Sequence, residues 1–268
     1  MPAASLYKYL NFPVFRFHST KEMVMKILTA ALFILLHLLP AQPLTGDEIL
    51  AKADQAMFSK SRIITSRMII HGRRETRTVV SKSRQRGISD AFTEYLSPPR
   101  EAGTKMLKLN DMLWMYSPST DRTIMIAKHM LRQSVMGSDL SYEDMMEDPR
   151  LPNLYSASIT GTDSVLGRLC WVLELTAKKE EISYGKRSVW VDQQRSIILK
   201  EHLFAKSGTL LKTVEITGLM NVQKRWTMRS AVYKDVMKEG KGTEFHIDEI
   251  EFDADILDHI FTKASLRR

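Results

Sequence analysis

The pattern of apolar and polar positions changes period once along this chain, near residue 60. Residues 47–58 place Ile49, Leu50, Ala53, Met57 and Phe58 on one helical stripe, and Thr45 or Asp47 can cap that helix. From there the period is two. Residues 62–72 alternate with Ile64, Ser66, Met68 and Ile70 on one face, and residues 74–86 form a polar, basic strand. Phe92 and Leu96 share a face in the next segment, which Pro98-Pro99 ends. Residues 105–109 and 112–116 flank Asn110-Asp111, a tight hairpin signal, and residues 122–127 make another strand.

A stretch without alternation follows, with a helical piece at 128–135 and a second helix opening inside residues 137–146. Alternation resumes at 156–160. It continues through Leu169, Trp171, Leu173 and Leu175, then through 188–192, 196–204, 209–217, 225–234 and 243–252. Residues 253–262 read as a helical turn. About ten or eleven strands at a spacing of roughly 8–12 residues predict a mainly β protein. The period allows an all-β sandwich or barrel with sequential antiparallel connections, in which either a filled core or a strongly curved antiparallel sheet folded round a few helices buries the apolar face. In the curved sheet a few short helices must cover the apolar face, because an uncovered face or edge invites aggregation.

Composition refines this. Residues 27–39 are apolar apart from Thr29 and His37, with Lys26 before them and Pro40-Ala41-Gln42 after. A basic start, a short apolar run and a small residue near a turn describe a cleavable signal peptide, whereas a spanning helix needs about 20 apolar residues. The expected domain division is therefore a leader at 1–41 and a single domain at 42–268, exported to the periplasm, with Met23 or Met25 as the start of translation. The leader holds Lys8, Arg16, Lys21 and Lys26 against Glu22, so its removal lowers the net charge from +8 to +5. That charge is too small for a dedicated nucleic-acid binder and is compatible with transient contact with anionic head groups. The single cysteine, Cys170, allows no internal disulfide and no multi-thiolate metal site, and reads as a small buried hydrophobe.

Of the 16 methionines, Met112, Met115, Met125, Met130, Met136, Met145 and Met146 crowd into residues 112–146. Methionine is flexible and polarizable; it either fills gaps in a core or lines a surface that accepts varied apolar shapes. Inside this stretch Gly137 permits a turn and Ser138 or Ser141 can cap a helix. Ser141 and Asp144 have the spacing of a capping box, and Glu143, Asp144 and Glu147 sit at the positive end of the helix dipole. Pro149 and Pro152 end the helix.

The order of these features resembles the periplasmic LolA-like carriers of outer-membrane lipoproteins. The resemblance rests on Leu113-Trp114-Met115-Tyr116-Ser117-Pro118, on the segment Gly137-Ser138-Asp139-Leu140-Ser141-Tyr142-Glu143-Asp144, and on the terminal Ile260-Phe261-Thr262-Lys263-Ala264-Ser265-Leu266. It spans residues 45–266. It implies a half-closed barrel with a helical lid over an apolar cavity that carries a lipid, or the acyl chains of a lipoprotein, across the periplasm. The candidate lipid-binding residues are Met68, Ile70, Phe92, Met112, Trp114, Tyr116, Met125, Trp171, Leu173 and Leu199. The candidate lid residues are Gly137, Ser138, Asp139, Leu140, Ser141, Tyr142 and Asp144.

Catalytic signatures are missing from the sequence: there is no Gly-x-Ser-x-Gly elbow, no phosphate-binding glycine loop and no His-Glu-x-x-His. His71, His129, His202, His246 and His259 have no metal-ligand spacing. The expectation is a monomeric, non-enzymatic carrier without cofactor or metal, handing cargo to or from an inner-membrane transporter. The alternative is an accessory or interaction module of such a transporter with a filled core. Arg73, Arg74, Arg77, Lys82, Arg84 and Arg86 form either a solvated strand or a docking face for a partner or for lipid head groups.

Overall fold

A computed structural model describes residues 24–25, 44–72 and 75–267. The chain divides into two units, Met1–Pro43 and Leu44–Arg268. In the first, only Val24 and Met25 are described, both helical and exposed, so the expected signal peptide and cleavage site lie outside the described residues, as do Arg73 and Arg74.

The second unit opens on helix α1 (Gly46–Met57), whose N-cap Thr45 forms a full capping box with Glu48. Its stripe of Ile49, Leu50 and Ala53 is buried, while Met57 is exposed. Thirteen strands follow: β1 (Ser61–His71), β2 (Thr76–Arg86), β3 (Asp90–Ser97), β4 (Lys105–Leu109), β5 (Met112–Ser117), β6 (Arg122–Met125), β7 (Tyr155–Val165), β8 (Arg168–Ala177), β9 (Lys186–Asp192), β10 (Ile198–Phe204), β11 (Leu210–Val222), β12 (Arg225–Asp235) and β13 (Thr243–Phe252). Between β6 and β7 lie two short 3-10 turns, Lys128–Met130 and Val135–Gly137, then α2 (Tyr142–Met146) and α3 (Leu151–Leu154).

All thirteen strands join one antiparallel sheet in the order β6-β5-β4-β3-β2-β1-β13-β12-β11-β10-β9-β8-β7. The count exceeds ten or eleven because every strand-like segment finds a partner, including the basic β2 and the largely exposed β7. The sheet is curved, as expected, and does not close into a barrel: among the described residues β6 and β7 each end it without a second neighbour. The chain meanders outward from β1 to β6, jumps to the opposite edge, and meanders back until β13 pairs with β1.

That jump positions the candidate site. Residues 126–154 must run from one edge of the sheet to the other, on the order of 55–60 Å along a flat sheet at about 4.8 Å per strand. With turns and helices consuming chain at only about 1.5–2 Å per residue, a curved sheet whose edges approach each other makes the crossing reachable.

Residues opposite one another in antiparallel pairs point to the same face. One face therefore carries the row Leu173, Val189, Glu201, Val214, Tyr233, Thr243, Ile70 and Arg77 from β8 to β2. A parallel row runs through Phe245, Met68 and Val79, and another through Ser83, Thr93, Met106, Met115 and Ile124. This face is covered by α1, α3 and the crossing segment. The opposite face carries Arg84, Phe92, Leu107, Trp114 and Met125 in one row. Over it lies the C-terminal tail, whose Phe261 and Leu266 are buried against Phe92, Leu107 and Trp114. The helical turn expected in the tail is a pair of 3-10 segments, Asp258–Phe261 and Lys263–Arg267.

Candidate functional site

The crossing segment lays an apolar, methionine-rich underside on the sheet. Val135 and Tyr142 are buried, and Met130, Leu131, Met136, Leu140, Met145 and Met146 pack with them on Met68, Ile70, Val79, Tyr95, Met106, Leu113 and Phe245. The contact is soft: Tyr142 Oη lies 3.8 Å from Met115 Sδ, and Tyr95 Oη lies 3.4 Å from Met106 Sδ.

Around this apolar contact sits a ring of polar fastenings. Met136 and Gly137 are both left-handed, at φ 50° and 71°. A Cβ on Gly137 would stand 2.9 Å from Arg77 Nη2, so glycine lets the Arg77 guanidinium reach the Met136 carbonyl. Ser138 is buried and donates to the Val135 carbonyl at 2.6 Å. Asp139 accepts from Thr243 Oγ1 at 2.8 Å and from the Asp235 amide at 3.0 Å, which ties the loop to β12 and β13. Lys238 donates to Ser134 Oγ and to the Ser138 carbonyl, both at 2.6 Å.

The second half of the crossing segment is fastened to β9 and β11. Ser141 caps α2, and Asp144 returns the capping-box bond to the Ser141 amide at 2.7 Å. Asp144 is also paired with Lys212 of β11 and accepts from Tyr184 Oη at 2.6 Å. Burial opposes its charge, yet Lys212, Tyr184 and the Ser141 amide together hold its carboxyl below the ordinary aspartate range. Glu147 meets Arg187, which is only 4 % exposed and also pairs with Glu201 at 3.1 Å. Arg187 lies over the rings of Tyr155 and Tyr184 at 5.0 and 5.2 Å. Burial pushes the Glu147 carboxyl above the ordinary glutamate range despite Arg187. Lys108 closes the C-terminal end of α2 by donating to the Met145 and Met146 carbonyls at 3.4 and 3.2 Å.

Gly137, Ser138, Asp139, Leu140, Ser141, Tyr142 and Asp144 are thus brought together, as one fastened element. The expected lipid-binding residues are divided. Met68, Ile70, Trp171 and Leu173 lie on the covered face. Phe92, Met112, Trp114, Tyr116 and Met125 lie on the opposite face by strand register, with Phe92, Trp114 and Tyr116 under the tail and Met112 and Met125 exposed. Leu199 is buried beside a β-bulge in a cluster with Cys170, Trp190 and Ile216. In β5 both alternating sets are apolar, so periodicity alone does not orient it; it is Leu113 and Met115 that meet the crossing segment. Sequence reasoning missed Tyr95, Met106 and Phe245, which become visible only once β3, β4 and β13 are paired with their neighbours. It also missed Arg187 and Lys212, whose partners are 40 and 68 residues away. Among the described residues, no group of three or more His, Cys, Asp or Glu side chains is arranged to hold a metal ion. Nor is any described helix long and apolar enough to cross a membrane.

This arrangement has structural relatives. An outer membrane lipoprotein-sorting protein domain from Vibrio parahaemolyticus is similar at TM-score 0.73 and 22% identity, covering 83% of this chain and 98% of that one. A DUF1329 family protein from Desulfovibrio piger gives 0.75 and 23%, covering 82% and 97%. A LolA superfamily protein from Nitrosomonas europaea gives 0.67 and 22%, covering 83% and 100%. No curated protein matches the sequence. A family model with the description "-like: Uncharacterized protein" matches residues 87–268. The chain belongs to that family and carries the LolA-like fold of its structural neighbours.

Proposed function

We propose that this protein is a periplasmic carrier that takes up lipid, or the acyl chains of lipoproteins, between its sheet and the segment that crosses it. The observation that carries this reading is the construction of the lid. Its underside is methionine and leucine, and its rim is a ring of polar contacts that can break and re-form. Acyl chains entering there would replace one set of apolar contacts with another, gaining about 0.8 kcal/mol per buried methylene. The lid side chains would leave Met68, Ile70, Tyr95 and Met106 to the cargo. Release would refasten Asp139, Asp144 and Glu147. No covalent step is involved.

Two of the structural neighbours are described by lipoprotein sorting or by the LolA superfamily, which supports the same reading. Protein purified from a periplasmic extract is expected to carry phospholipid or lipoprotein acyl chains detectable by mass spectrometry, and to bind a fluorescent fatty-acid probe. Absence of both would defeat the carrier reading. A second reading is favoured by one observation: the lid side chains already fill the face they cover. A non-enzymatic accessory module of an inner-membrane transporter would show no probe binding and a stoichiometric complex with that transporter.

A further inference from the structure

The two ends of the strands differ. At the end holding the β7–β8, β9–β10 and β11–β12 turns, apolar side chains stand in the open beside cations. Leu166 is 49% exposed, Leu169 58%, Trp226 38% and Phe58 58%. Leu166 and Gly167 make a two-residue turn with φ of 53° and 69°, the geometry in which asparagine and glycine are the favoured pair. A bulky leucine in left-handed backbone is strained, and here its side chain stands half-exposed to solvent. A local rule broken with no packing gain marks a feature kept for contact with something else.

The platform is rigid. The Gln193 amide donates to the Leu169 carbonyl at 3.0 Å, and the Arg195 guanidinium lies 3.5 Å from the Trp226 ring centroid on the next hairpin. Arg225 bonds the Phe58 carbonyl at 3.4 Å and Asp253 at 2.6 Å. The hairpins therefore form one braced edge, about 24 Å long from β7 to β12 and about 34 Å to Phe58 at β1, at about 4.8 Å per strand. Three of its acids are engaged, Asp253 by Arg225, Asp192 by Arg168, and Asp163 by the Trp190 indole at 2.9 Å, while Glu251 and Asp255 at the β13 end are exposed. Lys224 and Arg195 make no ion pair among the described residues, and without the expected leader the chain keeps a net charge of +5.

We propose that this edge is a docking surface for an anionic phospholipid membrane. Leu166, Leu169, Trp226 and Phe58 would enter the interfacial layer while Arg195 and Lys224 pair with head-group phosphates. Tryptophan and leucine flanked by cations is the composition suited to that layer, with an apolar body below and charge at the water side. A surface for a folded protein partner would not need a leucine forced into a left-handed turn at its outermost point. The inference does not depend on the carrier reading, since the hairpin tips are separate from the lid.

Co-sedimentation of the purified full chain with sucrose-loaded vesicles tests it. Vesicles of phosphatidylcholine with phosphatidylglycerol should bring the protein down at low salt, and phosphatidylcholine alone should do so far less. Leu166→Asn suits the left-handed turn better than leucine, so it keeps the fold; combined with Trp226→Ser it should lower binding at least tenfold. Lys224→Glu should lower it about fivefold on anionic vesicles only. Met237→Ser, at a 74% exposed position on the opposite end of the strands, should change nothing. The proposal is overturned if wild type fails to bind anionic vesicles. It is equally overturned if the double variant binds as wild type does, or if Met237→Ser weakens binding as much as the double variant.

Discussion

The sheet is covered on one face by the crossing segment and on the other by the C-terminal tail, and the two covers are built differently. The tail buries Phe261 and Leu266 at 5% and 0% exposure against Phe92, Leu107 and Trp114, with Arg86 over Phe261 and Lys263 over Trp114. The ion pair between Arg86 and Asp258 leaves Asp258 91% exposed and contributes little. The lid instead rests on thioethers and is fastened by partly buried charges: Asp144 with Lys212, Glu147 with Arg187. Aromatic side chains with few rotamers suit a fixed plug. Methionines with many rotamers, rimmed by polar contacts that water or a partner can replace, suit a cover that opens.

This contrast can be broken most forcibly at the tail. Phe261→Ala removes a fully packed ring and should cost about 3–5 kcal/mol of stability in chemical denaturation, while leaving the affinity for a fatty-acid probe within twofold. A large loss of probe binding with little loss of stability would reverse the roles assigned to the two covers. Next in size is Asp144→Ala, which removes the return half of the capping box and leaves the Lys212 ammonium, 15% exposed, without its carboxylate. The expected loss is about 3 kcal/mol, with faster probe uptake in stopped-flow mixing. Thr243→Val, which deprives Asp139 of a buried donor, should cost about 1–2 kcal/mol and shift the same uptake rate in the same direction.

Acid should separate the covers with the smallest effect. The Asp144 carboxyl is held below its ordinary value of 3.8, so its contribution is complete above that pH and is lost as pH falls through the lower folded value. Glu147, held above 4.5 by burial, works the other way and gains protons in the folded state first. Hydrogen-exchange protection of the lid, taken relative to the intrinsic rate at each pH, should therefore not fall on acidification towards pH 4 and should drop below it, with protection of the tail unchanged. A lid that loosens already between pH 7 and 5 would contradict this assignment.

Much of the sheet was legible because solvent marks one side of most strands, and because Asn110-Asp111 and the alternation in β1 and β8 are local signals. The capping boxes at Thr45 and Ser141 were legible for the same reason: partners three residues apart are written side by side. What was hidden depends on non-local pairing. The curvature that leaves the sheet open, the facing of β5, and the partners of Asp139, Asp144 and Glu147 follow from strand register and from residues 40 to 104 positions away. The acids of the central loop show this well. Helix capping explains them locally, yet Asp144 and Asp139 also bind the lid to the sheet, which no spacing in the sequence displays.

Hydrogen exchange on the full chain, with and without a bound fluorescent fatty acid, tests the central claim most directly. The account predicts that amides in residues 131–146 exchange faster when the ligand is bound, while those in residues 257–266 do not change. Saturating ligand with an unchanged lid, or with a loosened tail beside a protected lid, would contradict it.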